Sequence, residues 1–154
     1  MTSEEVYQKA LNLTLSYEGG YSNHPEDPGK ATMRGITQST FSAWLIGRGL
    51  PERDVREITD EEVKTIYRLY WEGVGGDRLP AGLAVVAFDI AVNSGTSRAL
   101  RWMAEGADDP VSLTVRRMEH YTNLEELWPT FGRGWSRRAY GVLGVANQLE
   151  RGQT

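Results

Sequence analysis

Leu83-Ala84-Val85-Val86-Ala87-Phe88-Asp89-Ile90-Ala91-Val92-Asn93 is the stretch on which the fold turns. Leu83, Val86, Ala87, Ile90 and Ala91 recur at the spacing of one helix face. Phe88 and Val92 add apolar residues on its flank. A helix apolar nearly all round must be covered on all sides, so the one opening after Pro80 belongs at the buried centre. Asp89 and Asn93 sit four apart and share one face. If buried, such a polar pair must be hydrogen-bonded. Two readings stand level: a structural network anchoring the loop before Gly35, or sugar contact. Asn93, at the helix end, is the better placed for a groove.

Helices extend outward from this centre in both directions. Thr2 with Glu5 and Thr59 with Glu62 have the spacing of capping boxes. The first opens a helix carrying Val6, Ala10, Leu13 and Tyr17, expected to end at Gly19-Gly20 with a left-handed glycine cap. The second opens a helix with Val63, Ile66, Tyr67, Tyr70 and Trp71 on one face. Between them, residues 21–36 are rich in Asn, Asp, Pro and Gly, and Asp27-Pro28-Gly29 is a turn signal. That segment reads as a loop with room for a short hairpin. A helix is expected over Gln38–Arg48, packing Phe41, Trp44 and Leu45. Asp109-Pro110 reads as an N-cap and first-turn pair for a helix packing Val111, Val115 and Met118. A last helix is expected from Gly134, using Trp135, Ala139, Val142 and Ala146. The pattern predicts one mainly α-helical domain over residues 1–154, with a small loop or hairpin region at 21–36.

Composition removes several functional classes. The 154 residues include no cysteine, which excludes thiol chemistry, cysteine zinc sites and disulfides. The net charge of −4 argues against a general nucleic-acid binder. No run reaches the roughly 18–20 apolar residues of a membrane span. The start, Met1-Thr2-Ser3-Glu4-Glu5-Val6, lacks the basic and apolar regions of a secretory signal. His24 and His120 have no zinc-ligand company, so no metal or other cofactor is expected. Arg133, Arg137 and Arg138 around Trp135 form a local basic cluster. Its plain reading is a solvated helix face; its sharper one is a contact for an anionic polymer.

Glu18, in Tyr17-Glu18-Gly19-Gly20-Tyr21, is the residue best set for acid chemistry. It closes the first helix, where the negative end of the helix dipole disfavours a charged carboxylate. Shielding by Tyr17, Tyr21 or Trp71 would add to that effect. The glycines beside it leave room for a polymer. In that setting alone, Glu18 is more often an ordinary exposed glutamate. Asp27 and Thr32 follow in the loop and are common turn residues. Together the three supply an acid, a carboxylate and a hydroxyl. Glycosidic cleavage by inversion uses such a set, with the carboxyl groups roughly 6.5–9.5 Å apart and a water between. Tyr21, Trp71 and Trp135 are candidates for stacking on sugar rings, of which Tyr21 is retained as a substrate contact beside Asn93.

The run Glu18-Gly19-Gly20-Tyr21-Ser22-Asn23-His24-Pro25-Glu26-Asp27-Pro28-Gly29-Lys30-Ala31-Thr32-Met33-Arg34-Gly35-Ile36-Thr37 resembles the signature of glycoside hydrolase family 108. Phe88-Asp89-Ile90-Ala91-Val92-Asn93-Ser94-Gly95 resembles that family's second signature. The resemblance is long over residues 11–37 and 70–97 and weaker over 98–154, where Phe131-Gly132-Arg133-Gly134-Trp135-Ser136-Arg137-Arg138 is similar to part of a peptidoglycan-binding segment. Lys30 stands where the family usually has glycine, and Met33-Arg34 replaces a more usual Asn-aromatic pair. Members are N-acetylmuramidases, mainly phage and prophage endolysins. The resemblance therefore implies a lysozyme-like fold and Glu18 as the essential acid. The spacing of Glu18, Asp27 and Thr32 is also similar to the Glu/Asp/Thr triad of T-even phage lysozymes, implying that Asp27 and Thr32 assist. The expected partner is the glycan strand of peptidoglycan, met by a monomer that collects in the bacterial cytoplasm. It would then reach the periplasm and wall through a holin-type pore or with a virion-like particle. A lytic transglycosylase cutting the same bond, and a non-catalytic wall-binding or phage structural protein, are the rival expectations.

Overall fold

A computed structural model describes residues 1–26 and 31–152. Among the described residues the chain forms seven α-helices and a small three-stranded sheet. Helix α1 (Ser3–Tyr17) opens on the expected capping box: the Glu5 amide donates to Thr2 Oγ1 and the Thr2 amide to Glu5 Oε2. Each such cap stabilises a helix by about 1 kcal/mol. The end of α1 departs from expectation. Glu18 itself is the C-cap, in an extended conformation (φ −96°, ψ 135°), and neither Gly19 nor Gly20 has a positive φ. The chain leaves α1 directly into strand β1 (Tyr21–Ser22), and the Gly19 carbonyl accepts a hydrogen bond from the Arg34 amide, 3.0 Å.

Strands β2 (Thr32–Met33) and β3 (Ile36–Thr37) complete an antiparallel sheet in the order β1-β2-β3. Met33 pairs with Ile36, so Arg34-Gly35 is a two-residue hairpin turn. Both turn residues have positive φ, 51° and 81°. That geometry matches the right-handed strand twist and suits glycine at the second position. Tyr67 holds the turn by donating its hydroxyl to the Arg34 carbonyl at 2.5 Å, and Arg34 pairs with Asp60.

Helix α2 (Gln38–Gly47) follows, capped by Thr37, and α3 (Asp60–Val74) starts on the second capping box. Helix α4 (Ala81–Ser94) is the predicted centre. Every residue from Gly82 to Val92 is buried, and α1, α3, α5 (Thr96–Ala104), α6 (Pro110–Thr122) and α7 (Trp128–Glu150) all pack on it. Burying side chains such as Leu83, Phe88 and Ile90 contributes about 1.5–3 kcal/mol each. At its N-terminus, where Pro80 offers no side-chain cap, the Gly82 amide donates to Glu150 Oε1 at 2.8 Å. A Cβ at Gly82 would lie 2.6–2.7 Å from Glu150 and the Ala146 carbonyl, so glycine is what lets α4 and α7 approach.

Three expectations need correction. Helix α5 has no counterpart in the pattern reading, because it is short, follows Gly95 without a side-chain cap, and buries only Ala99 and Trp102. Helix α6 is turned relative to its apolar pattern. Val111 and Val115 are exposed, whereas Leu113, Thr114, Arg117 and Tyr121 are buried. The cause is Arg117, a charged residue that takes a core position because it finds a buried carboxylate there. Helix α7 begins at Trp128 rather than Gly134, with Pro129 in the first turn, where its missing N–H costs nothing. Among the described residues, no helix is long and apolar enough to cross a membrane.

Candidate active site

Glu18 sits at the junction of α1 and the sheet. Its carboxylate lines a cleft of about 280 Å³. Thr32, Gly35 and Thr37 of the hairpin line the same cleft, as do Asn93 and Ser94 at the end of α4. Further lining residues are Arg98 from α5, His120 and Tyr121 from α6, Leu124 and Leu127 from the connection, and Phe131 and Trp135 from α7.

The setting of Glu18 differs from the expected one in a particular way. Its side chain is only 17% exposed, and Oε1 accepts a hydrogen bond from Nη1 of Arg138 at 2.5 Å. The negative helix end therefore meets a guanidinium rather than an apolar lid. Trp71 does not shield it. That ring is in the core, stacked edge-on with Phe88, its Nε1 donating to Asp77. Tyr17 contributes indirectly, its ring lying under the Arg138 guanidinium at 5.6 Å.

Arg138 is itself fixed from behind. Its Nε donates to Asp89 Oδ2 at 3.0 Å and its Nη2 to Oδ1 at 3.0 Å. Asp89 is fully buried, and Arg117 Nη2 approaches its Oδ2 at 2.6 Å while the Thr14 hydroxyl donates to Oδ1 at 2.7 Å. Burial pushes the Asp89 carboxyl up, but Arg117 and Arg138 more than offset it, carrying it down to about 2. Burial alone would lower the Arg138 pKa; the Asp89 and Glu18 carboxylates raise it instead, so it stays charged. The run Arg117–Asp89–Arg138–Glu18 is thus a ladder of alternating charge from the core to the cleft. The basic cluster read around Trp135 divides accordingly: Arg133 and Arg137 are exposed and Arg138 points inward.

Asn93 lines the cleft and is also tied to this framework. Its Oδ1 accepts from the Tyr121 hydroxyl at 2.6 Å, and Arg117 Nε donates to that hydroxyl oxygen at 2.7 Å. Of the two readings left level above, the network is present, though it ties α4 to α1, α6 and α7 while Tyr67 holds the turn before Gly35. Asn93 also has a place on the cleft wall. Tyr121, Trp135 and Phe131 form a continuous stack, with ring centroids 4.8 and 5.6 Å apart. Tyr21 is placed elsewhere: it does not line the cleft, and the Arg56 guanidinium covers its ring at 5.2 Å. Asp27 lies outside the described residues. Arg98, His120 and Phe131 were not among the sequence candidates, and Arg138 entered only as part of a basic surface cluster. For Arg138 the missed signal is helical phase, since Trp135, Arg138 and Val142 fall at i, i+3 and i+7.

Gly35 is the tightest point of the site. A Cβ there would lie 2.5 Å from the Tyr67 hydroxyl and 2.7 Å from Glu18 Cδ, at a φ of +81°. Gly35→Ala should therefore destabilise by about 1–3 kcal/mol, the scale of stored backbone strain. It should also displace Glu18 and slow turnover roughly tenfold, the equivalent of about 1.4 kcal/mol. Gly19→Ala is the control, since nothing lies within 4 Å of its added Cβ. Thermal unfolding and turnover of the two variants, measured side by side, check this; equal behaviour would contradict it.

A half-buried glutamate faces an open, aromatic-walled cleft, and the chain is a glycoside hydrolase. It belongs to glycosyl hydrolase family 108, whose model matches residues 11–95. The structure is similar to that of SagA from Brucella abortus, with 33% sequence identity and a TM-score of 0.84 over 96% of this chain and 97% of that one. No curated protein matches the chain.

Proposed function

We propose that the protein is an N-acetylmuramidase of the endolysin type, hydrolysing the β-1,4 bond between N-acetylmuramic acid and N-acetylglucosamine in peptidoglycan. The observation that carries this reading is Glu18, the one carboxylate among the described residues that line the cleft, held by one oxygen. Arg138 occupies Oε1, and among the described residues Oε2 has no hydrogen-bond donor. Oε2 is then the atom that carries the proton and presents it to the glycosidic oxygen. As the C1–O bond breaks, that proton passes to the leaving sugar and water attacks C1 from the other face. Thr32, on the cleft wall, and Asp27, five positions before it in the sequence, are assigned to orient this water, with Asp27 accepting its proton. Asn93, whose Oδ1 is engaged by Tyr121, keeps its amide group for a sugar substituent. The Phe131–Trp135–Tyr121 stack offers apolar ring surface to the sugar faces. The family supports a glycan substrate, and lysis of the wall from within the bacterium is the biological role that fits it.

Mass spectrometry of the products from purified peptidoglycan tests the reading. Muropeptides ending in a reducing N-acetylmuramic acid are expected. Reducing N-acetylglucosamine ends would mean that the other glycosidic bond is cut. Products ending in 1,6-anhydro-N-acetylmuramic acid would make the protein a lytic transglycosylase, and binding without cleavage would reject an enzyme role.

A further inference from the structure

The cleft contains a second charged group that acid catalysis does not use. Arg98, in the first turn of α5, lines it and is half-buried. Its Nη1 donates to the Ser94 carbonyl at 3.2 Å, which occupies one of five guanidinium donors. None of the ion pairs among the described residues involves Arg98. Its neighbour Arg101, by contrast, faces Glu105, and Arg116 faces Glu105 and Glu119. The carboxylate among the described lining residues is Glu18, which Arg138 already holds.

His120 lies beside this arginine in the cleft wall, its ring 5.6 Å from Trp102 and 6.1 Å from Tyr121. Burial, and after it the charges of Arg98 and Arg101, hold the imidazole below its usual pKa, so it is a neutral hydrogen-bonding partner. Among the described residues, the cleft therefore presents a cation without a carboxylate partner, on a chain whose net charge is −4. An acidic surface discourages anionic ligands in general, so a cation kept inside a cleft selects for one that enters there. Plain N-acetylglucosamine strands carry no charge. Muramic acid differs by its lactyl substituent, which ends in a carboxylate or continues into a stem peptide bearing several.

We propose that Arg98 is a specificity-determining residue whose guanidinium binds a carboxylate borne on the muramic acid side of the substrate. The inference rests on the muramidase reading, and it makes the enzyme discriminate peptidoglycan from neutral glycans by charge rather than by sugar contacts alone. Guanidinium suits the task, because its planar fork meets a carboxylate with two parallel hydrogen bonds.

The test compares wild type, Arg98→Gln and Arg98→Lys. Binding is followed by tryptophan fluorescence with three ligands. These are a disaccharide-tetrapeptide, the same disaccharide with its peptide removed so that only the lactyl carboxylate remains, and neutral chitotetraose. KM and kcat are measured on purified peptidoglycan. Wild type is expected to bind a carboxylated ligand at least roughly tenfold more tightly than chitotetraose, the scale of one charge-assisted hydrogen bond. Arg98→Gln should abolish that preference, leave chitotetraose binding unchanged, and raise KM about tenfold with little change in kcat. Arg98→Lys should keep part of the preference. A preference shown by the stripped disaccharide identifies the lactyl carboxylate; one shown only with the peptide present identifies the stem. Retention of the preference in Arg98→Gln overturns the proposal, as does an equal loss on chitotetraose. If wild type prefers the carboxylated ligands yet cleaves nothing, the muramidase reading fails and the site stands. If it cleaves without any preference, the site fails and the reading stands.

Discussion

Glu18→Gln is expected to fold normally and to lose at least about a hundredfold of peptidoglycan turnover, the usual scale of general acid catalysis. Glutamine keeps the size of the side chain and a carbonyl oxygen that can still accept from Arg138, so the packing against Gly35 survives. What disappears is the group able to carry a proton on Oε2. Circular dichroism would check the fold, and release of reducing ends from purified peptidoglycan the activity. Near-normal turnover would end the assignment of Glu18 as the acid. Loss of fold together with activity would show that the Arg138 contact is mainly structural, and Glu18→Asp would then separate the two roles.

The second large effect is on stability. Asp89→Ala leaves Arg117 and Arg138, both buried, without the carboxylate between them. Removing one partner of a buried ion pair typically costs about 3–5 kcal/mol, because the remaining charge is stranded. For a chain of this size that corresponds to a fall in Tm of roughly 6–20 °C. A drop under about 2 °C, the equivalent of less than 1 kcal/mol, would contradict the ladder as a stabilising unit. The pH dependence provides a further check. Asp89 is held down to about 2 in the folded chain, below its unfolded value of about 4. Its contribution is thus complete above pH ~4 and is lost as the pH falls through about 2. Wild type should shed this stability across that acid window. The variant should lack that part of the loss, and an identical acid limb in both proteins would assign it to other carboxylates.

The parts of this molecule legible in its sequence are those written by local rules. Thr2/Glu5 and Thr59/Glu62 cap α1 and α3 as their spacing requires, and the apolar run Leu83–Val92 is the buried centre. Thr32 and Asn93 do line one cleft with Glu18. Two of the failures, the inner face of α6 and the place of Arg138, share a cause, which is charge placed in the core. Leu113, Arg117 and Tyr121 recur every four residues and form the true inner face of α6, but the arginine hides the stripe and leaves Val111 and Val115 to define a false one. Arg138 is concealed in the same way among Arg133 and Arg137. Both become readable only when a buried carboxylate is known to await them, and Asp89 is far from either in sequence. Tyr21 illustrates the opposite limit. An aromatic beside an acid suggests a sugar platform, yet Tyr21 is not among the residues that line the cleft with Glu18, and the Arg56 guanidinium lies over its exposed ring.

The contact between Glu18 and Arg138 spans 120 positions of chain. Its two ends are made far apart in time during synthesis, since α1 leaves the ribosome well before α7. Until α7 has emerged and docked on α4, Glu18 lacks the Arg138 guanidinium, and neither Phe131 nor Trp135 is in place to wall the cleft. A nascent chain already carrying every residue of the amino-terminal motif is therefore still without a finished site.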